Sequence, residues 1–137
     1  MKKRMVAVAA GALLVAAAGL AAAKDVKVSL TGAQEVPAVE SKATGAGKIT
    51  IADDGAVSGS IKTKGITGTA AHIHEAPAGK NGPPVITLEK KGENEWVVPA
   101  GAKLSPEQLA SFKAGNLYVN VHSAEHKPGE IRTQLKP

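Results

Sequence analysis

The sequence predicts an all-β domain, an antiparallel Greek-key-like β-sandwich or barrel with one short crossover helix. Three observations predict it. Short runs alternate apolar and polar side chains, Gly, Pro and Asp punctuate them, and a single segment carries helix-capping residues.

Residues 1–23 read as a signal peptide. Met1-Lys2-Lys3-Arg4 supplies positive charge, a run of Ala, Val, Leu and Gly follows, and Ala21-Ala22-Ala23 places small residues before Lys24. The apolar stretch is short and Gly-interrupted, so cleavage is expected over retention as an anchor, with no stable membrane span afterwards. Residues 24–137 then form one domain, exported to the periplasm or secreted.

Losing the leader removes three of the 17 basic residues and none of the 12 acidic ones, so the net charge falls from +5 to +2. The remaining chain has no dense basic run and one each of Trp, Tyr and Phe, which argues against nucleic acid as a partner. It has no cysteine. Disulfides and thiolate chemistry are therefore excluded, and His and carboxylates remain as the strong metal ligands.

Within the domain, residues 26–30 alternate as a strand. Residues 47–51 and 56–62 flank Asp53-Asp54-Gly55, a hairpin turn signal. Residues 69–75, 85–90 and 96–98 read as further strands, and the Gly- and Pro-rich residues 76–84 as a loop. Ser105-Pro106-Glu107-Gln108 offers an N-cap, a Pro at the first helical position and a Gln at the third, and Gly115 closes the helix. In residues 117–122, Leu117, Val119 and Val121 share one face and Tyr118, Asn120 and His122 the other. A return strand over residues 130–136, turning about His126, sets Val121 opposite Ile131, Asn120 opposite Arg132 and His122 opposite Glu130. That register predicts one buried face and one face bearing His122, Asn120, Glu130 and Arg132.

Residues two apart in a strand point the same way, so His72 and His74 can converge on one cation, with Ile73 facing the other side. Taken alone, such a pair is more often a solvated strand surface. His122, on a second strand and also opposite an apolar face, supplies a third imidazole, a set that suits copper or zinc. His126 is the weakest candidate, a loop histidine able to reach inward as a fourth ligand. Glu75 and Glu130 are candidate ligands or acceptors that orient an imidazole N–H, against the plainer expectation that both are solvated. Arg132 is either a guide for an anion or small oxidant, hence the one catalytic candidate, or a member of a surface ion pair. Asn81-Gly82-Pro83-Pro84 reads as turn chemistry, and Tyr118 and Trp96 as packing residues. Because an imidazole must be neutral to ligate, occupancy is expected to weaken below about pH 6–6.5.

Three segments stand out together: Leu30-Thr31-Gly32-Ala33-Gln34-Glu35-Val36-Pro37; Ala71-His72-Ile73-His74 with Ala78-Gly79-Lys80-Asn81-Gly82-Pro83; and Leu117-Tyr118-Val119-Asn120-Val121-His122-Ser123 with Gly129-Glu130-Ile131-Arg132. By them the chain resembles the CHRD domain family over residues 26–136. The resemblance implies an extracytoplasmic β-sandwich-like domain. A fainter similarity joins His72-Ile73-His74-Glu75 and Val121-His122 to the copper-ligand motifs of copper/zinc superoxide dismutases, which implies His72, His74 and His122 as copper ligands. The chain departs from that family in having no histidine between His74 and His122 to bridge two metals, no zinc cluster and no disulfide cysteines.

Three functions follow as expectations. The first is an exported protein binding a transition metal, copper before zinc, through strand-borne histidines. The second is an envelope structural or protein-interaction module whose partner is another envelope protein. The third is a copper-dependent oxidoreductase resembling superoxide dismutase.

Overall fold

The computed structural model describes residues 22–137. The leader reading over residues 1–23 therefore lies outside the described residues, save Ala22 and Ala23. Nine strands are formed: β1 (Ala23–Thr31), β2 (Thr44–Ala52), β3 (Val57–Lys64), β4 (Gly68–Glu75), β5 (Pro84–Thr87), β6 (Glu89–Lys90), β7 (Glu95–Val97), β8 (Leu117–Ser123) and β9 (Ile131–Leu135). One α-helix, α1 (Pro106–Lys113), precedes β8, and a 3-10 turn spans Gly32–Gln34.

All strands belong to one antiparallel sheet ordered β5-β4-β8-β9-β1-β2-β3-β7-β6. Its two ends are consecutive pieces of chain, because only Leu88 separates β5 from β6 and its N–H donates to Ala71 O of β4 at 2.9 Å. The sheet thus curls into a nearly closed barrel, the barrel form of the predicted all-β class. Closure leaves few unpaired strand edges. The single strand expected over residues 85–90 is split for the same reason: at Leu88 the chain stops pairing with β4 and starts pairing with β7.

Inside the barrel lie Val28, Leu30, Ile49, Ile61, Ile73, Leu117, Val119, Val121, Ile131 and Leu135, each buried. Trp96 joins this core, as expected of a packing residue. The helix carries the chain from β7 to β8, which are not neighbours, so it is the predicted crossover. Its start is the predicted capping box: Ser105 Oγ accepts from Gln108 N at 3.1 Å, and Gln108 Oε1 accepts from Ser105 N at 2.8 Å. Phe112 and Leu104 anchor it to the core.

The β8–β9 register is the predicted one, with Val121 opposite Ile131, Leu117 opposite Leu135 and Asn120 opposite Arg132. The outer face of this pair departs from expectation, for Tyr118, Asn120, Glu130 and Arg132 are all buried. Two connections cover them. Residues 76–83 fold back over the sheet, where Gly82 N donates to Tyr118 Oη at 3.1 Å and Ala76 O accepts from Gln134 Nε2 at 2.7 Å. Residues 32–43 lie against the same layer, with Ser41 Oγ donating to Glu130 Oε2 at 2.7 Å. Asn81 Nδ2 donates to Val36 O at 2.6 Å and so ties the two connections together. Glycine is required at 82, since a Cβ there would collide with the backbone oxygen of Glu75. The polar set of β8 and β9 is therefore a second, hydrogen-bonded interior.

Candidate metal centre

Strand β4 pairs with β8, which places His72 opposite Asn120, His74 opposite Tyr118 and Ala70 opposite His122. Alternation keeps all three histidines on the outer face, opposite Ala71, Ile73, Val119 and Val121 in the core. His122 is diagonal to His72, within reach of a long side chain. The rings converge, with centroids 5.3 Å apart for His72 and His74, 5.0 Å for His72 and His122, and 5.8 Å for His74 and His122.

One donor nitrogen from each of His72, His74 and His122 lies within 4.8 Å of the other two. Two imidazoles are locked by carbonyl oxygens. His74 Nδ1–H donates to Gly82 O at 2.9 Å, and His122 Nδ1–H donates to Lys127 O at 2.7 Å. In a neutral ring this fixes the lone pair on Nε2. His122 Nε2 accepts from His72 Nδ1–H at 3.0 Å, whereas His74 Nε2 is buried without a partner. For His72 to offer Nδ1 as a ligand, its proton moves to Nε2.

The donor set fits a borderline metal ion. An orphaned buried imidazole nitrogen costs free energy unless something satisfies it, and three neutral nitrogens without thiolate or carboxylate suit copper or zinc. Ligand nitrogens around an ion at about 2.0–2.1 Å stand roughly 3.3–3.6 Å apart, so nitrogens as far as 4.8 Å apart must close by somewhat more than 1 Å to share one. His72 and His122 also line a shallow depression of about 480 Å³ with Thr69, Ala70, Ser123, Ala124 and Lys127, which opens the cluster to solvent.

Burial, with His122 and His74 beside it, pushes the His72 pKa down. His74 is pushed down chiefly by burial, against the favourable hydrogen bond to Gly82. Both rings stay neutral to lower pH than an exposed histidine.

Around the cluster the side chains stack. The Tyr118 ring lies parallel to His74 with centroids 4.8 Å apart, and the Arg132 guanidinium sits 3.4 Å from the Tyr118 ring centroid. Arg132 is 1 % exposed. Its Nη1 donates to Asn81 Oδ1 at 3.2 Å, and its Nη2 to Gln134 Oε1 at 3.1 Å and Pro77 O at 3.4 Å. This corrects the expected surface ion pair, because the guanidinium is buried and engaged by neutral oxygens. It clamps the 76–83 loop over Tyr118, which in turn backs His74. Tyr118 is thus more than a core packing residue, and Asn81 more than a turn residue.

The remaining candidates lie outside the cluster. His126 lines a separate cavity of about 400 Å³ with Glu35, Val36, Pro37, Val39 and Gly129. Glu75, at the end of β4, is not among the grouped ligands. Glu130 is buried and not solvated, its carboxylate accepting from Ser41 Oγ and Ser123 Oγ at 2.7 Å each.

Glu35 and Asn120 are the residues that sequence reasoning did not assign a role. Glu35 follows the 3-10 turn, is 5 % exposed, and keeps Oε2 without a partner. Burial raises its pKa to about 7, against the opposing pull of Arg132 and the Asn120 amide. Asn120 is 1 % exposed with Oδ1 unpartnered. Period-two alternation placed Asn120 correctly but carries no sign of burial on the outer face, and no periodicity marks a buried glutamate in a loop.

A family model described as the CHRD domain matches residues 26–135. No curated protein and no solved structure matches the chain.

Proposed function

The chain belongs to the CHRD domain family, and on that premise we propose that it is an exported protein whose His72, His74 and His122 bind one transition-metal ion, copper before zinc. The convergence of three donor nitrogens within 4.8 Å, one of them buried and unpartnered, carries the reading. Strand pairing and the Gly82 and Lys127 carbonyls fix the rings in advance, so little side-chain entropy remains to be lost on binding. The depression beside His72 and His122 leaves room for a further ligand from solution. The described residues hold no second group of three metal-ligating side chains, which limits this reading to a mononuclear site.

Calorimetric titration of the metal-free mature protein with Cu(II), Cu(I) and Zn(II) tests it. One tight site per chain is expected, lost in a His72→Ala, His74→Ala double variant. Equal binding by wild type and double variant removes the metal and leaves an envelope structural or interaction domain. Superoxide dismutation is the narrower alternative. It requires activity in the copper-loaded protein above that of free copper under chelator control.

A further inference from the structure

Three buried polar atoms on the outer layer of β4, β8 and β9 lack partners: His74 Nε2, Asn120 Oδ1 and Glu35 Oε2. They are not scattered. Asn120 sits opposite His72 and diagonal to His74 on the same face of the β4–β8 ladder, and its Nδ2 and Glu35 Oε2 crowd the same point beside Gly129. Glycine at 129 makes the second approach possible, for a Cβ there would collide with Glu35 Oε2 and Asn120 Nδ2 together. The three groups therefore form a line from carboxyl to amide to imidazole, all at least nine-tenths buried.

We propose that Glu35 is a positioning residue for the trihistidine centre, acting through the side-chain amide of Asn120. The inference rests on the metal-binding reading above. An ionised carboxylate only accepts hydrogen bonds, so it draws the Asn120 NH₂ toward itself and turns Oδ1 toward His74. That end of the amide dipole favours a cation held by the imidazoles, or accepts from a water bound beside it. A protonated Glu35 instead offers an O–H to Oδ1, which turns the NH₂ toward the cluster and disfavours a cation there. Glu35 thereby decides which end of the amide the metal site meets.

The surroundings of Glu35 allow it this role. Its cavity, lined by His126 and Gly129 of the β8–β9 turn and by Glu40 of its own segment, gives the carboxyl a path to solvent. From β9, Arg132 faces it and opposes the effect of burial. Glu130 is engaged with Ser41 and Ser123 and does not compete for Asn120, whose Nδ2 also donates to Pro128 O at 3.4 Å, a bond that the flipped amide gives up.

The test is a double-mutant cycle on Cu(II) affinity, measured by competition with a chelator from pH 5.5 to 8.5, on full-length mature protein with Glu35→Gln, Asn120→Leu and both changes. Glu35→Gln is expected to weaken binding about tenfold at pH 8, the usual scale for a residue behind a ligand. It should also remove the part of the pH dependence that wild type shows near neutrality, and alter the copper electron paramagnetic resonance spectrum. In the Asn120→Leu background, Glu35→Gln should then have no further effect, because the connection is already cut. If Asn120→Leu does not fold, Asn120→Ser takes its place in the cycle. Additive losses, or a Glu35→Gln profile that overlays wild type at every pH, overturn the proposal. Failure of the underlying reading looks different: wild type itself then binds no better than the His72→Ala, His74→Ala variant.

Discussion

Glu35 also makes the metal-free protein's stability depend on pH in an unusual direction, and Glu35→Gln isolates the effect. The carboxyl titrates at about 7 in the folded chain against 4.5 for an unburied glutamate. Between these values the folded chain holds a proton that the unfolded chain has released, so the contribution favours folding in acid and is lost as pH rises through 7. A separation of that size corresponds to about 3 kcal/mol. The lowered pKa values of His72 and His74 act in the opposite sense, since the unfolded chain takes up their protons first as pH falls below 6.5. Both variants share that second term, and it cancels in their difference. Urea unfolding of the chelator-treated proteins at pH steps from 4.5 to 8 gives the comparison directly. The stability of wild type minus that of Glu35→Gln should fall by about 3 kcal/mol across this range. A difference that stays constant would mean that Glu35 ionises as an exposed glutamate does, and would refute its burial as described.

Two further outcomes follow from the layer around the site. Arg132→Leu should cost about 1–3 kcal/mol in urea unfolding, because it removes the buried guanidinium that holds Asn81 Oδ1, Gln134 Oε1 and the Pro77 carbonyl over Tyr118; an electrostatic guide would instead change metal on-rates in a salt-dependent way with stability untouched. Gly82→Ala should lift the 76–83 loop off β4, destabilise by about 1–3 kcal/mol and weaken copper binding through loss of the His74 anchor, with calorimetry and thermal melting read on the same sample.

Much of this arrangement is legible in the sequence because period-two alternation leaves little choice of face. It places Val121 against Ile131 and sets His72, His74 and His122 opposite apolar neighbours, as the structure does. The pairing of β4 with β8 is another matter, for no local pattern links strands so distant in sequence. Closure at Leu88 depends on that pairing and is equally invisible. Arg132, Asn120 and Glu130 read as a solvated face because alternation separates two sides without saying what covers each. Only the folded 32–43 and 76–83 connections turn that side into an interior. Glu35 was visible only as one residue of the family-like segment from Leu30 to Pro37, in which nothing distinguishes a buried carboxyl.

Whether three imidazoles meet at one ion is decided by X-ray absorption spectroscopy of the mature protein carrying one copper per chain. Three imidazole nitrogens are expected around the copper at about 2.0 Å, falling to two in each of His72→Ala, His74→Ala and His122→Ala. A shell with one imidazole or none, unchanged by these substitutions, would contradict a trihistidine site.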